Sequence, residues 1–201
     1  MKLIIYLSAI LLFAGTSHAH AQLAYKAVPQ GSRIKIEGTS SLHDWDMIVK
    51  NFECDMSVVM GNPAITVQKV SFTVIASTIS SHNSIMDNKT LSALKVEEYP
   101  EIRFRMTTPL KVVTQGDSFN GIASGELFIA GKTRTVSLPF SGRTISESTI
   151  SISGAKKIDM TEFGIDPPTF MLGALKTGKD VTVRFDITLK QHYKEFDVSL
   201  K

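Results

Sequence analysis

Residues 180–190 alternate strictly between apolar and polar side chains. Successive side chains of a strand point to opposite faces of a sheet, so this period of two predicts a long β-strand with one buried face. The apolar row consists of Val181, Val183, Phe185, Ile187 and Leu189. A strand with such a face needs further strands around it, because its apolar row has to share an interior with theirs.

Seven other segments alternate in the same way or lie between turn residues, and two of them are joined by a hairpin turn at Gly131. Between the third and fourth of the eight predicted strands, residues 83–95 place Ile85, Leu91 and Leu94 on a rough helical stripe, which predicts one short helix. The eight predicted strands are 32–38, 42 to about 60, 65–76, 101–108, 120–130, 133–142, 147–156 and 180–190.

The predicted fold class is therefore all-β, with strands joined mostly by short antiparallel turns. A closed eight-stranded barrel would leave no sheet edge exposed and would have room for one small ligand. A two-sheet sandwich with a solid core has a similar strand count. Alternation alone does not separate the two architectures.

The first 21 residues have the pattern of a secretory signal peptide. Lys2 precedes an apolar run that ends near Gly15, and Ala19-His20-Ala21 is a small-residue cleavage site. The run is shorter than the roughly 20 residues that span a bilayer. We therefore expect a signal peptide at 1–21, a single domain at 22–201, no stable membrane insertion after cleavage, and a location outside the cytoplasm.

Charge and cysteine content narrow the function classes. The whole chain has a net charge of +3, and no basic stripe interleaved with aromatic residues suggests nucleic-acid binding. Cys54 is the only cysteine, so stability must come from packing and not from disulfides, and we interpret Cys54 as a small apolar core residue.

The sequence contains no recognisable catalytic or metal-binding motif. A G-x-S-x-G elbow, an H-E-x-x-H pair, a phosphate-binding glycine loop and a cysteine pair are all missing. His43, Asp44 and Asp46 are close in sequence, but His43 and Asp44 would point to opposite faces of a strand. We therefore predict no enzyme, no cofactor and no metal site.

The predicted inner faces carry many aromatic, methionine and branched side chains. Either they form an ordinary solid core or they line an apolar cavity, since flat and unbranched side chains suit irregular apolar spaces. The predicted lining consists of Trp45, Met47, Phe72, Phe104, Met106, Phe140, Val183, Phe185 and Ile187. Phe170, Met171 and Leu172, in the long connection before the last strand, are a candidate lid.

Several short motifs, taken in order, resemble the YceI-like family of exported bacterial proteins associated with polyisoprenoid and other lipid binding. These motifs are Ser41-Leu42-His43-Asp44-Trp45, Met86-Asp87, Tyr99-Pro100-Glu101-Ile102-Arg103-Phe104, the segments 125–134 and 156–165, and Gly178-Lys179-Asp180-Val181. The resemblance implies an eight-stranded antiparallel lipocalin-like barrel with an elongated apolar channel and, in this chain, one short helix between strands 3 and 4.

The expected function is that of a periplasmic binding protein that holds an isoprenoid or another long-chain lipid inside the barrel. One alternative is a solid-core interaction module of the cell envelope. Another is a hydrolase or isomerase that uses His43. The sequence leaves a homodimer open.

Overall fold

A computed structural model describes residues 22–61, 63–170 and 175–192. Within these ranges the chain consists of β-strands with one α-helix and two short 3-10 helices. The strands are β1 (Gln22–Ala27), β2 (Arg33–Ser40), β3 (Trp45–Val49), β4 (Phe52–Val59), β5 (Ala64–Ile75), β6 (Ile79–Ser80), β7 (Glu101–Met106), β8 (Leu110–Gln115), β9 (Ser118–Ile129), β10 (Lys132–Ser146), β11 (Thr149–Asp159), β12 (Thr169–Phe170) and β13 (Leu175–Gln191). The helix α1 spans Ser84–Ala93, and the 3-10 helices span Ala76–Thr78 and Met160–Phe163.

Strand β1 closes the sheet into a barrel. It pairs antiparallel with β4 on one side and with the end of β13 on the other. The closed circuit runs β1-β4-β5-β7-β9-β10-β11-β13 and back to β1. This is a closed eight-stranded antiparallel barrel, so the predicted fold class is confirmed and the sandwich alternative is wrong.

The barrel wall continues beyond β1 because β13 is longer than one neighbour can cover. Ahead of its pairing with β1, β13 pairs with β2, which pairs with β3, which pairs with β6. The predicted strand from 42 to about 60 is therefore two strands, β3 and β4, separated at Lys50 and Asn51. The predicted strand 65–76 ends in the 3-10 turn that leads to β6.

The single α-helix is present, but its place in the strand order needs correction. It lies between β6 and β7, not between strands 3 and 4. The difference arises because β1, the β3–β4 break and the two-residue β6 add to the count before the helix. Strands β8 and β12 were not predicted either.

The inward row of β13 is the one that alternation predicts. Val181, Ile187 and Leu189 are buried, and Val183 and Phe185 between them are half-buried. Cys54 on β4 is also buried, and burial raises the pKa of its thiol from 9.0 to about 12. No α-helix within the described ranges is both long enough and apolar enough to cross a bilayer.

Candidate functional site

The barrel interior includes two cavities that the side chains of the described residues leave unfilled. The larger has a volume of about 480 Å³ and the smaller about 150 Å³. Ligand pockets in proteins typically measure roughly 300–1,000 Å³, so the larger cavity alone is of ligand size. Cavities of this kind distinguish the barrel from a solid-core β-domain.

The larger cavity lies between the β2–β3 hairpin, the N-terminal half of β13 and one face of α1. Its apolar lining includes Ile36, Trp45, Met47, Ile79, Met86, Ala93, Leu94, Ile102, Ile129, Met160, Ile165, Val181 and Val183. We call its exposed lining residues the mouth: Leu42, His43, Asn83, Ile85, Lys89 and Lys176. Leu42 and Ile85 are 66% and 65% exposed, so the apolar lining extends to the surface.

Helix α1 is held over the cavity by hydrogen bonds at its first turn. The Asn83 side chain accepts from the backbone amides of Ile85 at 3.0 Å and Met86 at 3.1 Å, which satisfies two donors that a helix start leaves free. Asp87 accepts from the Ser81 amide at 2.7 Å and from the Ser80 hydroxyl at 3.0 Å. These bonds tie the helix to β6.

The electrostatics of Asp87 agree with this structural role. Burial by itself would raise the pKa of Asp87, but hydrogen bonds from Ser81 and Ser80 outweigh it and hold the pKa of the carboxyl below its usual value. The carboxylate therefore stays charged and acts as an acceptor that positions α1.

Trp45 lies against a glycine on the neighbouring strand. Gly38 pairs with Trp45 across the β2–β3 ladder, and a Cβ at Gly38 would collide with the indole ring. The indole Nε1 donates to the backbone oxygen of Thr39 at 3.0 Å. Trp45 is thus fixed at both its face and its polar edge, with the remaining apolar surface on the cavity.

The smaller cavity lies within the closed eight-strand circuit. Its lining is apolar apart from Lys156 among the described residues. Phe72, Leu127 and Ile158 line both cavities, and we call these three side chains the partition. The two cavities are therefore neighbours, and these three side chains lie between them.

All nine side chains predicted to line a ligand site face one of the two cavities. Trp45, Met47 and Val183 line the larger one, and Phe72 lines both. The others line the smaller one: Phe104, Met106, Phe140, Phe185 and Ile187. Their contact with a ligand stays a prediction.

The candidate lid is largely beyond what the structure describes. Met171 and Leu172 lie outside the described residues. Phe170 belongs to β12, where its backbone pairs with that of Leu175. A lid function for this segment stays a prediction.

A family model described as the YceI-like domain matches residues 25–189. The chain belongs to the YceI-like family. The match covers both the closed circuit and the hairpin and helix around the larger cavity.

Solved structures support the fold of this YceI-like chain. The crystal structure of Burkholderia cenocepacia BcnA is similar with a TM-score of 0.64 and 14% identity, covering 81% of this chain and 98% of that one. A polyisoprenoid binding domain from Saccharophagus degradans, implicated in plant cell wall breakdown, gives 0.63 and 10%, covering 85% and 99%. A Campylobacter jejuni YceI protein gives 0.56 and 15%, covering 74% and 85%. No curated protein matches the sequence significantly.

Several lining residues were not predicted from the sequence. Ile36 and Ile102 lie on strands with the expected alternation, so the same pattern could have identified them. Met86, Thr90 and Ala93 share one helical face toward the cavity. The sequence did not identify that face, because methionine, threonine and alanine at these positions do not form a continuous apolar stripe. In the structure no residue of α1 is fully buried.

In the described part of the chain, the His43 ring is hydrogen-bonded to the backbone of the next residue and not to an acid–base side chain. Its ring Nδ1 donates to the backbone oxygen of Asp44 at 2.7 Å, since a carbonyl oxygen can only accept. No group of three or more His, Cys, Asp or Glu side chains able to hold a metal ion occurs among residues 22–61, 63–170 and 175–192.

Proposed function

We propose that this protein binds a long apolar chain, such as a polyisoprenoid or a fatty amphiphile, inside its barrel. The observation that carries the proposal is the unfilled, apolar cavity of about 480 Å³ that opens at the mouth. Membership of the YceI-like family supports it. So does the similar fold of a domain described as polyisoprenoid binding.

The energy for binding comes from removing the chain from water. Each buried methylene contributes about 0.8 kcal/mol, so a dodecyl chain would gain roughly 10 kcal/mol before losses. Immobilising the ligand consumes much of this gain. Because the lining offers contact area and few polar groups, selection should depend on chain length and girth more than on chain chemistry.

The two alternatives have less support. A solid-core interaction module does not account for two apolar cavities in the interior. A hydrolase or isomerase that uses His43 would need an acid–base partner, and within the described ranges its ring is hydrogen-bonded to the Asp44 backbone and not to a carboxylate. We therefore propose binding and not catalysis.

A direct test is to extract the purified protein with organic solvent and to analyse the extract by mass spectrometry. We expect a lipid-sized species, or, if the protein was purified empty, uptake of a fluorescent alkyl probe. Ala93→Trp would fill part of the larger cavity and should reduce probe uptake at least tenfold. Asn88→Trp is the matched control, because Asn88 is exposed on the same helix and lines neither cavity.

The result that would refute the proposal is the absence of any lipid from the extract together with no probe uptake by the folded parent protein. Equal uptake by the Ala93 and Asn88 variants, both shown to be folded by circular dichroism, would move binding away from the larger cavity.

Residues 1–21 support a further part of the proposal, namely export and function in the periplasm. Cell fractionation with intact-mass measurement tests it. We expect a periplasmic species that begins at Gln22. A cytoplasmic species that retains Met1 and Lys2 would refute it.

A further inference from the structure

The charges at the mouth of the larger cavity are all of one sign. The charged side chains of the mouth are Lys89 from α1 and Lys176 from the start of β13, and both line the cavity. No aspartate or glutamate is among the described residues of the lining. An apolar cavity with a cationic mouth has the polarity that suits an amphiphile with a negative end.

Among the residues that the structure describes, neither mouth lysine is paired with a carboxylate, whereas some lysines on the outer wall are. Outside the barrel, Lys179 lies 2.6 Å from Asp159 and Lys157 lies 2.9 Å from Asp180. Within the described ranges, neither Lys89 nor Lys176 has a carboxylate within ion-pair distance. The charges of both mouth lysines are therefore available to a ligand.

The backbone positions of the mouth lysines are fixed by neighbouring elements. The Ser41 amide donates to the backbone oxygen of Lys176 at 2.9 Å, and the Lys176 amide donates to the Ser41 hydroxyl at 3.1 Å. Lys89 follows the first turn of α1, which Asn83 caps. Two separate elements therefore each contribute one lysine to the lining of the same opening.

We propose that the natural ligand carries an anionic head group, a carboxylate or a phosphate, that binds at the mouth between Lys89 and Lys176 while its apolar chain fills the larger cavity. This inference rests on the proposed function. A neutral head group would partly desolvate two cations without giving them a partner, whereas an anionic one provides the partner.

The expected advantage of the anion is moderate, because both lysines are exposed and exposed ion pairs are weak. We expect about tenfold tighter binding of an anionic amphiphile than of its neutral analogue for the two lysines together. The advantage should shrink in 0.5 M salt, since salt screens exposed charges.

The test compares three probes with the same chain: dodecanoate, dodecyl phosphate and dodecanol. The purified full chain is titrated at pH 8 and low ionic strength, with fluorescence of Trp45, the only tryptophan, as the readout. The parent should bind one or both anions about tenfold tighter than dodecanol. The two anionic probes distinguish a carboxylate from a phosphate.

Lys89→Gln combined with Lys176→Gln should abolish this preference, so that the variant binds both anions and dodecanol with similar affinity. Lys69→Gln is the matched control, because Lys69 is exposed on β5 and lines neither cavity. It should keep the full preference for the anions.

The outcomes separate this inference from the proposal on which it rests. If dodecanol binds as tightly as both anions, or if the folded double variant keeps the preference, the head-group inference is overturned and chain binding stands. If none of the three probes binds, and the fluorescent alkyl probe is not taken up either, the proposed function fails and the inference fails with it.

Discussion

Replacing Phe72 with alanine should lengthen the chain that the barrel accepts. Phe72 belongs to the partition that lines both cavities, so removing its ring should join the space of about 480 Å³ to the space of about 150 Å³ behind it. A cavity of about 150 Å³ holds a benzene-sized group, which has six carbons. The variant should therefore bury about six more carbons of a linear chain than the parent.

The expected effect follows from the transfer free energy of those carbons. Each methylene contributes about 0.8 kcal/mol, which changes Kd by about fourfold. Six of them would give a gross upper limit of roughly 5 kcal/mol. In the parent, Kd should fall with each added methylene until the larger cavity is full and then stay level. In Phe72→Ala it should continue to fall for about six further carbons.

The assay is displacement of a fluorescent alkyl probe by linear saturated carboxylates of increasing length. Loss of a buried phenylalanine side chain typically costs about 3–5 kcal/mol of stability, so the variant is first checked by thermal unfolding. Phe128→Ala is the matched control: its half-buried ring packs edge-on against Tyr99, with 6.0 Å between centroids, and lines neither cavity. If folded Phe72→Ala levels off at the same chain length as the parent, the partition is not where the chain stops.

Two further predictions follow from the packing of single residues. Gly38→Ala should displace the Trp45 indole, shift its fluorescence and weaken probe binding severalfold; unchanged fluorescence would contradict the close packing of ring and glycine. Cys54 should react with a thiol reagent only on unfolding. Burial raises the pKa of its thiol from 9.0 to about 12, so above pH 9 the unfolded chain loses this proton while the folded chain keeps it. The free energy of unfolding should therefore fall by about 1.4 kcal/mol per pH unit above pH 9. Below pH 9 both states hold the proton and this effect vanishes. If the free energy of unfolding of Cys54→Ala changes between pH 9 and about 10.5 as much as that of the parent, the thiol is not the cause.

The direction of the inward side chains could be predicted because alternation reports it directly. The phase of the alternation also indicated the break between β3 and β4, although the prediction did not take it into account. Met47 and Val49 are buried at odd positions, whereas Cys54 and Met56 are buried at even positions. This change of phase marks the point where one continuous alternating segment becomes two strands, since a strand cannot change its inward face without a break or bulge.

A bulge produces the same signature on the neighbouring strand. The β4–β5 pairing shifts register between Ser57 and Val58, which face Lys69 and Val67. The inward row of β5 accordingly changes from Val67 to Val70 and Phe72. Following which positions, odd or even, carry the apolar residues would have located both the β3–β4 break and this bulge.

The volume of the interior could not be predicted in this way. An inward phenylalanine has the same sequence pattern whether it packs against a facing side chain or borders empty space. The distinction depends on the distance between opposite walls, which strand number, tilt and closure determine together. Closure depends on the pairing of β1 with β13, which links Tyr25 to Gln191, residues far apart in the chain. For the same reason the mouth could not be predicted, because Lys89 and Lys176 line one opening only once helix and barrel are assembled.

The burial of the β13 row shows why the interior is suited to a guest molecule. In a solid barrel the whole row would be buried, yet Val183 and Phe185 remain half-buried between the buried Val181 and Ile187. These two side chains border the larger and the smaller cavity respectively. Apolar surface that folding leaves uncovered still gains free energy when a ligand covers it. The barrel therefore gives up part of its own packing stability at the positions where an apolar chain would bind.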